Sequence, residues 1–373
     1  MVTLKEVKTK KELKAFVKFP FSIYKGSKYW VPPIISQEMK TFDKNENPVF
    51  NDAEARLFLA YKNNEIVGRI AAITNWLEIN GQNQKKMRFG WFDFIDDLEV
   101  SKALLDQVEA IGKEHNLEYA EGPVGFSNLD KVGVLTEGFD IIGSMITWYN
   151  HPYYIKHYEA ANFKIEKSYS ESRFPFSNVK PEFFLKANEL IKRRYKVRAL
   201  DFTSTKDVMP YADRMFDLFN ETYAKLSSFV AINDIQKAYF KKKFIGFINP
   251  EYIKFVMDEN DEMIAFAIVM PSFSKALQKM NGKLFPFGFR HILHAKKHSK
   301  DASFYLIGVH PDYQNKGVHA VIFNQYYHTF KQKGIEMCYR TPELEDNEAI
   351  KKIWKHFDPE VYKRRKTYRK DLA

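Results

Sequence analysis

The stretch at residues 57–68, Leu-Phe-Leu-Ala-Tyr-Lys-Asn-Asn-Glu-Ile-Val-Gly, is echoed without a gap at residues 254–265, Lys-Phe-Val-Met-Asp-Glu-Asn-Asp-Glu-Met-Ile-Ala, a displacement of 197. In each copy an apolar run meets a short Asn/Asp-bearing cluster and then a second apolar run. That pattern predicts two strands joined by a tight turn, because Asn and Asp tolerate turn dihedrals. The same displacement carries Asn150 onto Asn347, each followed by aromatic and apolar residues at helical spacing. At the front of each half a short strand, residues 4–7 or 197–202, precedes a helical pattern marked by Leu13, Phe16 and Val17 or by Met215, Phe216 and Phe219. A chain that repeats itself over so long an interval is expected to fold as two copies of one α+β unit. The join falls at residues 173–181, where two prolines interrupt the periodicity and Pro181 is suited to open the next helix. The expected domains are therefore 1–175 and 176–373.

The 373 residues suffice for two domains of roughly 150 residues with insertions. With 45% hydrophobic and 16% aromatic residues, the chain has the apolar content that disordered chains lack. No apolar run approaches the roughly 20 residues that span a bilayer, and the Lys-rich start is not followed by the apolar stretch of a secretory signal. A cytoplasmic location with no membrane partner is expected. Cys338 is the single cysteine, which excludes an intramolecular disulfide and a Cys-rich metal site. The net charge of +11 is uneven: residues 1–165 hold 21 basic and 22 acidic residues, leaving 37 and 25 for residues 166–373. An anionic ligand or partner is expected in the second half.

Each half also contains a buried-strand pattern followed by a helix. In the first half these are residues 88–95 and a helix capped by Ser101 with Leu104, Val108 and Ile111 on one face. In the second they are residues 302–309 and a helix carrying Val318, Ile322, Gln325, Tyr326 and Thr329. The turns between strand and helix differ sharply. The first reads Asp96-Asp97-Leu98-Glu99, with three carboxylates and no glycine. The second reads His310-Pro311-Asp312-Tyr313-Gln314-Asn315-Lys316-Gly317-Val318-His319-Ala320. A glycine there lets the backbone approach a ligand, and free amides at a helix N-terminus suit a pyrophosphate. Carboxylates in the first turn would repel phosphates.

The strand ending Gly-Val-His-Pro, the loop Tyr-Gln-Asn-Lys-Gly-Val, the amphipathic helix after it and the run from residues 335–340 to Asn347 resemble the acyl-CoA-binding core of the GNAT acetyltransferases. The opening Phe-Pro-Phe-Ser-Ile-Tyr, Tyr29-Trp30-Val31-Pro32-Pro33, Glu121-Gly122-Pro123 and Lys366-Thr367-Tyr368-Arg369 are similar to bacterial tandem-GNAT proteins. The resemblance implies an α+β fold with two GNAT-like mixed sheets flanked by helices, and acetyl-CoA or another acyl-CoA as co-substrate. It assigns Gln314, Asn315, Lys316, Gly317, Val318, His319 and Ala320 to the pyrophosphate loop, with Ile307, Gly308, Val309 and Asn347 also at the cofactor. His319 stands where the family has a small residue. No metal is implied. The first half is then a degenerate copy that shapes the substrate cleft.

Amide formation from a thioester needs a deprotonated amine, a polarised carbonyl and help for the leaving thiolate. The family's usual tyrosine acid is replaced by Trp354, while Tyr158 holds the corresponding place in the first half and reads as a packing residue. Tyr305, Tyr339 and Glu343 are the candidate catalytic residues. His291, His294 and His298, interleaved with Lys296 and Lys297, read as a solvated basic helix, and Cys338 as a buried strand thiol. The basic stretch at residues 363–366 with Arg369 and Lys370 reads as a charged edge strand. The expected activity is an acyl-CoA-dependent N-acyltransferase, most simply an acetyltransferase, acting on a small-molecule or peptide amine. The alternatives are an aminoacyl transferase using charged tRNA, which would make nucleic acid a partner, and a non-catalytic ligand-binding protein.

Overall fold

Both copies of the repeated segment are β-hairpins. In a computed structural model that describes residues 1–224, 226, 229–245 and 248–372, the chain divides into two compact units. The first holds residues 1–170 and 274–291 and the C-terminal segment from Lys363; the second holds residues 171–273 and 292–362.

In the first unit the strands are β1 (Thr3–Glu6), β2 (Ala53–Lys62), β3 (Glu65–Asn75), β4 (Lys86–Phe94), β5 (Tyr119–Gly122) and β6 (Val134–Glu137). The order runs β1-β2-β3-β4-β5 and then to β14 (Glu360–Asp371). All neighbours are antiparallel except the β4–β5 pair. Asn63 and Asn64 turn the β2–β3 hairpin with φ of 52° and 63°, the pair of left-handed residues that a two-residue hairpin turn requires. Helix α1 (Lys10–Lys18) opens on a capping box between Thr9 and Glu12 and buries Phe16 and Val17. Helix α2 (Leu98–Glu114) follows β4 and buries Leu104, Val108 and Ile111, as the spacing predicts. Its cap is Asp97, not Ser101; Ser101 lies one turn inside and bonds His157 Nδ1 at 2.6 Å. Helix α3 (Tyr154–Ala160) completes this core.

In the second unit the order is β7 (Lys164–Pro175, from Glu171 onward), β12 (Met337–Arg340), β11 (Asp301–Val309), β10 (Met263–Pro271), β9 (Ile253–Met257) and β8 (Arg198–Leu200), with the short β13 (Glu343–Leu344) beside β7. Here β11–β12 is the parallel pair. Pro181 opens helix α4 (Pro181–Tyr195), as predicted. Helices α5 (Ala212–Tyr223), α8 (His319–Lys333) and α9 (Glu348–Trp354) belong to this unit. Between β10 and β11 the chain makes α6 (Ser274–Met280) and α7 (Gly288–His298), a helical pair placed where the first half has only the short stretch between β3 and β4. The core gathers Phe304, Val321, Ile322, Phe323, Tyr326, Phe330, Trp354 and Phe357.

The fold is therefore α+β, with mixed sheets flanked by helices. The units depart from the linear division expected from sequence at residues 274–291, which join the first unit, and at the last strand of each repeat. Strand β7 ends the first repeat, yet its residues 173–175 pair with β12 of the second unit. Strand β14 ends the second repeat, yet its residues 368–371 pair with β5 of the first. Each repeat's last strand completes the other unit's sheet. The basic stretch on β14 is accordingly no solvated edge: Lys363 and Arg365 are each 1% exposed, and they donate to the carbonyls of Ile142 at 2.7 Å and Trp148 at 2.6 Å.

Candidate functional site

The site begins where two parallel strands part company. β11 and β12 pair from Asp301/Met337 to Phe304/Arg340 and no further, although β11 continues to Val309. The cause lies on the other side of β11. Against β10, Phe304 faces Val269 and Leu306 faces Ile268, which leaves Tyr305 as the extra residue of a bulge. A bulge bends its strand and re-aims the residues beyond it. It also resets the alternation, so Ala302 and Phe304 before it, and Ile307 and Val309 after it, all pack against the same core.

Beyond the bulge the open edge of β11 is chemically defined. His310 N–H donates to Ile264 O at 2.8 Å, so strand alternation turns the amides of Gly308 toward β10 and those of Ile307 and Val309 toward the open edge. The carbonyls on that edge are taken: Tyr223 O–H donates to Ile307 O at 3.2 Å and Gln314 Nε2 donates to Val309 O at 3.1 Å. The Ile307 and Val309 amides, with no acceptor among the described residues, remain as donors. Of the predicted trio, Gly308 contributes space instead, since a Cβ there would lie 2.4 Å from the Phe266 ring and 2.9 Å from Thr222 Oγ1.

The loop that follows starts with a 3-10 turn, residues Pro311–Tyr313, in which His310 Nδ1 accepts from Asp312 N–H at 3.2 Å and its Nε2 meets Glu221 Oε1 at 3.1 Å. Asn315 and Gly317 take positive φ, 59° and 77°. The ammonium of Lys316 sits over the rings of Tyr313 and Tyr195, 5.0 and 5.4 Å from their centroids. α8 then begins with no side-chain cap and no acid in its first turn. Ala320 and Val321 N–H donate within the turn, to Gly317 O at 2.9 Å and Val318 O at 3.0 Å, so the amides of Gly317, Val318 and His319, without a partner among the described residues, and the dipole make the anion-accepting end. Burial and the nearby His356 lower the pKa of His319 in the first turn, so this imidazole is held neutral.

The remaining predicted residues lie apart from that end. Tyr305 is half-buried at the bulge. Tyr339 lies opposite Ser303, inside the paired region, against the ring of Tyr362; burial raises its pKa and a hydrogen bond from Arg173 partly opposes this. Glu343 is held by Arg340, whose guanidinium lies 4.8 Å over the Trp354 ring. Burial pulls Arg340 down to about 9, and the carboxylate against it favours its charged form. Asn347 caps α9 by accepting from Ile350 N–H at 3.3 Å. Trp354 is packed among Phe304, Phe323 and Phe357. Cys338 is buried, and burial drives its thiol pKa far up. Tyr223, Glu221 and Ile191, whose Cδ1 lies 2.8 Å from where a Cβ of Gly317 would stand, escaped sequence reading, because no motif marks a helix residue that reaches a strand edge or the loop beyond it.

The first unit has the same parts in another state. β4 pairs with β5 only as far as Arg88/Glu121, after which the Phe94 amide and carbonyl are occupied by the hydroxyls of Tyr154 and Tyr153. At the start of α2, the Asp97 carboxylate accepts from Glu99 N–H at 2.9 Å and from Lys62 Nζ at 2.6 Å. The anion position is filled by the chain's own carboxylate. Asp96 is tied to Lys156 and His157. Tyr158 is stacked on Tyr368 at 4.4 Å with its hydroxyl buried, which raises its pKa strongly.

No protein-family model matches the chain. Two curated bacterial proteins align along nearly all of it: Protein YghO of Escherichia coli (strain K12), 24% identical over 374 residues covering 97% of this chain and 94% of that one, and a bacterial ceramide synthase of Caulobacter vibrioides, 24% identical over 381 residues covering 98% and 96%. Among solved structures, a tandem GNAT protein from the clavulanic acid biosynthesis pathway superposes with a TM-score of 0.58 at 9% identity, covering 100% of this chain and 99% of that one. A GCN5-related N-acetyltransferase from Sphaerobacter thermophilus gives 0.54 at 6% identity, covering 100% and 96%.

Proposed function

We propose that this chain, whose fold is that of the tandem GNAT acetyltransferases, is an acyl-CoA-dependent N-acyltransferase with its donor site in the second unit. The observation that carries the reading is the adjacency of an uncapped, acid-free start of α8 to the free amides of Ile307 and Val309. The residues present fit the donor: Gln314 to Ala320 would hold the pyrophosphate, and the open edge of β11 would receive the acyl-bearing arm. CoA supplies the activated acyl group as a thioester. The protein's part is to position that group against two fixed amide donors and to let the amine lose its proton, by water or through Tyr305, Tyr339, Glu343 or the His310–Glu221 pair. Glu343 is already engaged by Arg340, which makes it the poorest base of these. A ceramide is itself an N-acyl amine, so the name of one relative agrees with amide formation and widens the acyl donors to be tried beyond acetyl-CoA.

The test is calorimetric titration with CoA, followed by thiol release from acetyl- and long-chain acyl-CoA over a panel of amines that includes sphingoid bases and peptides. Binding of CoA with amine-dependent thiol release supports the reading. Failure of CoA to bind at millimolar concentration refutes it. Binding of charged tRNA without CoA would favour aminoacyl transfer.

A further inference from the structure

Between Glu262 and Asp301 the chain contains no acidic residue, yet it carries seven Lys or Arg and three His. This segment includes α6 and the turn into α7, and within the first unit it is firmly seated. Ser274 Oγ donates to Gly143 O at 2.8 Å, Gln278 Nε2 donates to the carbonyls of Lys28 and Trp30 at 2.9 and 3.0 Å, and Ile35 N–H donates to Gly282 O at 3.0 Å. Gly282 has φ of 78° and no room for a side chain, since a Cβ would lie 2.5 Å from the Phe21 ring.

What this rigid seat holds out is apolar. Phe285 and Phe287 are 73% and 64% exposed, two of the most exposed large apolar side chains among the described residues. Single exposed apolar residues are ordinary, but two phenylalanines flanking one proline are a concentrated liability in water. Around them stand exposed cations. Lys275 and Lys279 share one face of α6, Lys283 and Arg290 bracket the aromatic turn, and none of the four forms an ion pair with a described residue. The Arg290 guanidinium lies 5.3 Å from the Phe287 ring centroid, a contact that holds charge and ring side by side.

We infer that residues 275–290 dock this protein on an anionic lipid bilayer, with Phe285 and Phe287 entering the headgroup–acyl boundary and Lys275, Lys279, Lys283 and Arg290 meeting lipid phosphates. Exposed aromatic rings ringed by cations that form no ion pair with a described residue, on a segment that carries no carboxylate, are complementary to that interface in both polarity and charge. A protein partner would need neither the absence of acids nor cations on every side. No helix among the described residues is long and apolar enough to cross a membrane, so the association is peripheral. It departs from the expectation of no membrane partner, which rested on spanning segments alone.

The experiment is flotation of the full chain with phosphatidylcholine–phosphatidylglycerol vesicles and with pure phosphatidylcholine vesicles, at low and high salt. The wild type should float with the anionic vesicles, and the bound fraction should fall as salt rises. Phe285→Ser with Phe287→Ser should weaken binding about tenfold or more, and Lys283→Glu with Arg290→Glu should weaken it by about fivefold or more per residue. All four positions are exposed, so thermal melts of the variants should match the wild type and exclude misfolding. Wild type that fails to float with anionic vesicles at low salt overturns the inference. So does undiminished binding by the Phe285→Ser, Phe287→Ser variant. A concentration-dependent dimer that this variant abolishes, without vesicle binding, assigns the aromatic turn to a second copy of the chain instead.

Discussion

Replacing Gly317 separates backbone strain from charge at the proposed phosphate loop. Its φ of 77° lies in the left-handed region, where any Cβ costs about 1–2 kcal/mol. The added atom would also stand 2.8 Å from Ile191 Cδ1, the tip of a side chain that can swing aside. Gly317→Ala should therefore lower stability by about 1–2 kcal/mol, a fall in Tm of roughly 2–8 °C for a unit of this size. Gly317→Asp carries the same strain and adds a carboxylate. At about 4 Å from a phosphate, a unit charge costs about 1 kcal/mol in water and about 4 kcal/mol at the effective dielectric of a protein surface. Asn315 and Lys316 are exposed, so an intermediate value of about 2 kcal/mol applies, which is roughly a further 30-fold in CoA affinity. Paired melts and calorimetric titrations with CoA read both quantities. The two variants should melt together and bind apart, and the difference in binding should shrink at high salt. Equal loss of CoA by both would place the lesion in the backbone. Wild-type binding by Gly317→Asp would remove the pyrophosphate from this loop altogether.

Asp97→Ala should cost α2 its N-cap, about 1 kcal/mol by chemical denaturation, and leave the CoA titration unchanged, since that helix end is in the first unit. A changed CoA affinity would put the donor in the wrong half. Arg365→Leu should destabilise by about 1–3 kcal/mol, because the Trp148 carbonyl loses its donor within the interior; urea melts check this, and an unchanged midpoint would refute the buried placement. His319 is held neutral by burial and His356, so its folded pKa lies below the unfolded value of about 6.5. The unfolded chain then takes up the proton first, and stability should fall as pH drops from about 6.5 through the lower folded value. His319→Gln should flatten that part of the stability–pH curve, and an unaltered slope would show that another group sets it.

The hairpins were legible because Asn63, Asn64 and Asp261 are the residue types that accept positive φ, and they stand between apolar runs. The glycine-bent start of α8 was legible for the same reason. The bulge at Tyr305 was not, since a bulge in β11 depends on the register it keeps with β10, and no residue type marks it. Buried cations were misread too. A run of Lys and Arg looks solvated on paper, but Lys363 and Arg365 alternate inward along β14 and end on carbonyl oxygens that only the folded first unit supplies. Likewise the matched asparagines diverged in use: Asn347 caps a helix, while Asn150 is buried and bonds both the amide and the carbonyl of Leu135.

The placement of β14 sets the order in which this protein can be finished. Residues 119–122 of the first unit find their antiparallel partner in residues 368–371, about 250 residues further along the chain. The N-terminal half is thus synthesised first and closed last. Until residues 368–371 emerge, β5 waits with an unpaired edge, while the second unit already has residues 173–175 of β7 in hand to complete its own sheet. A nascent chain of this design can pair the second unit's strands before it can close the first unit's sheet, the reverse of vectorial folding, and loss of residues 368–371 would damage the part of the protein made first.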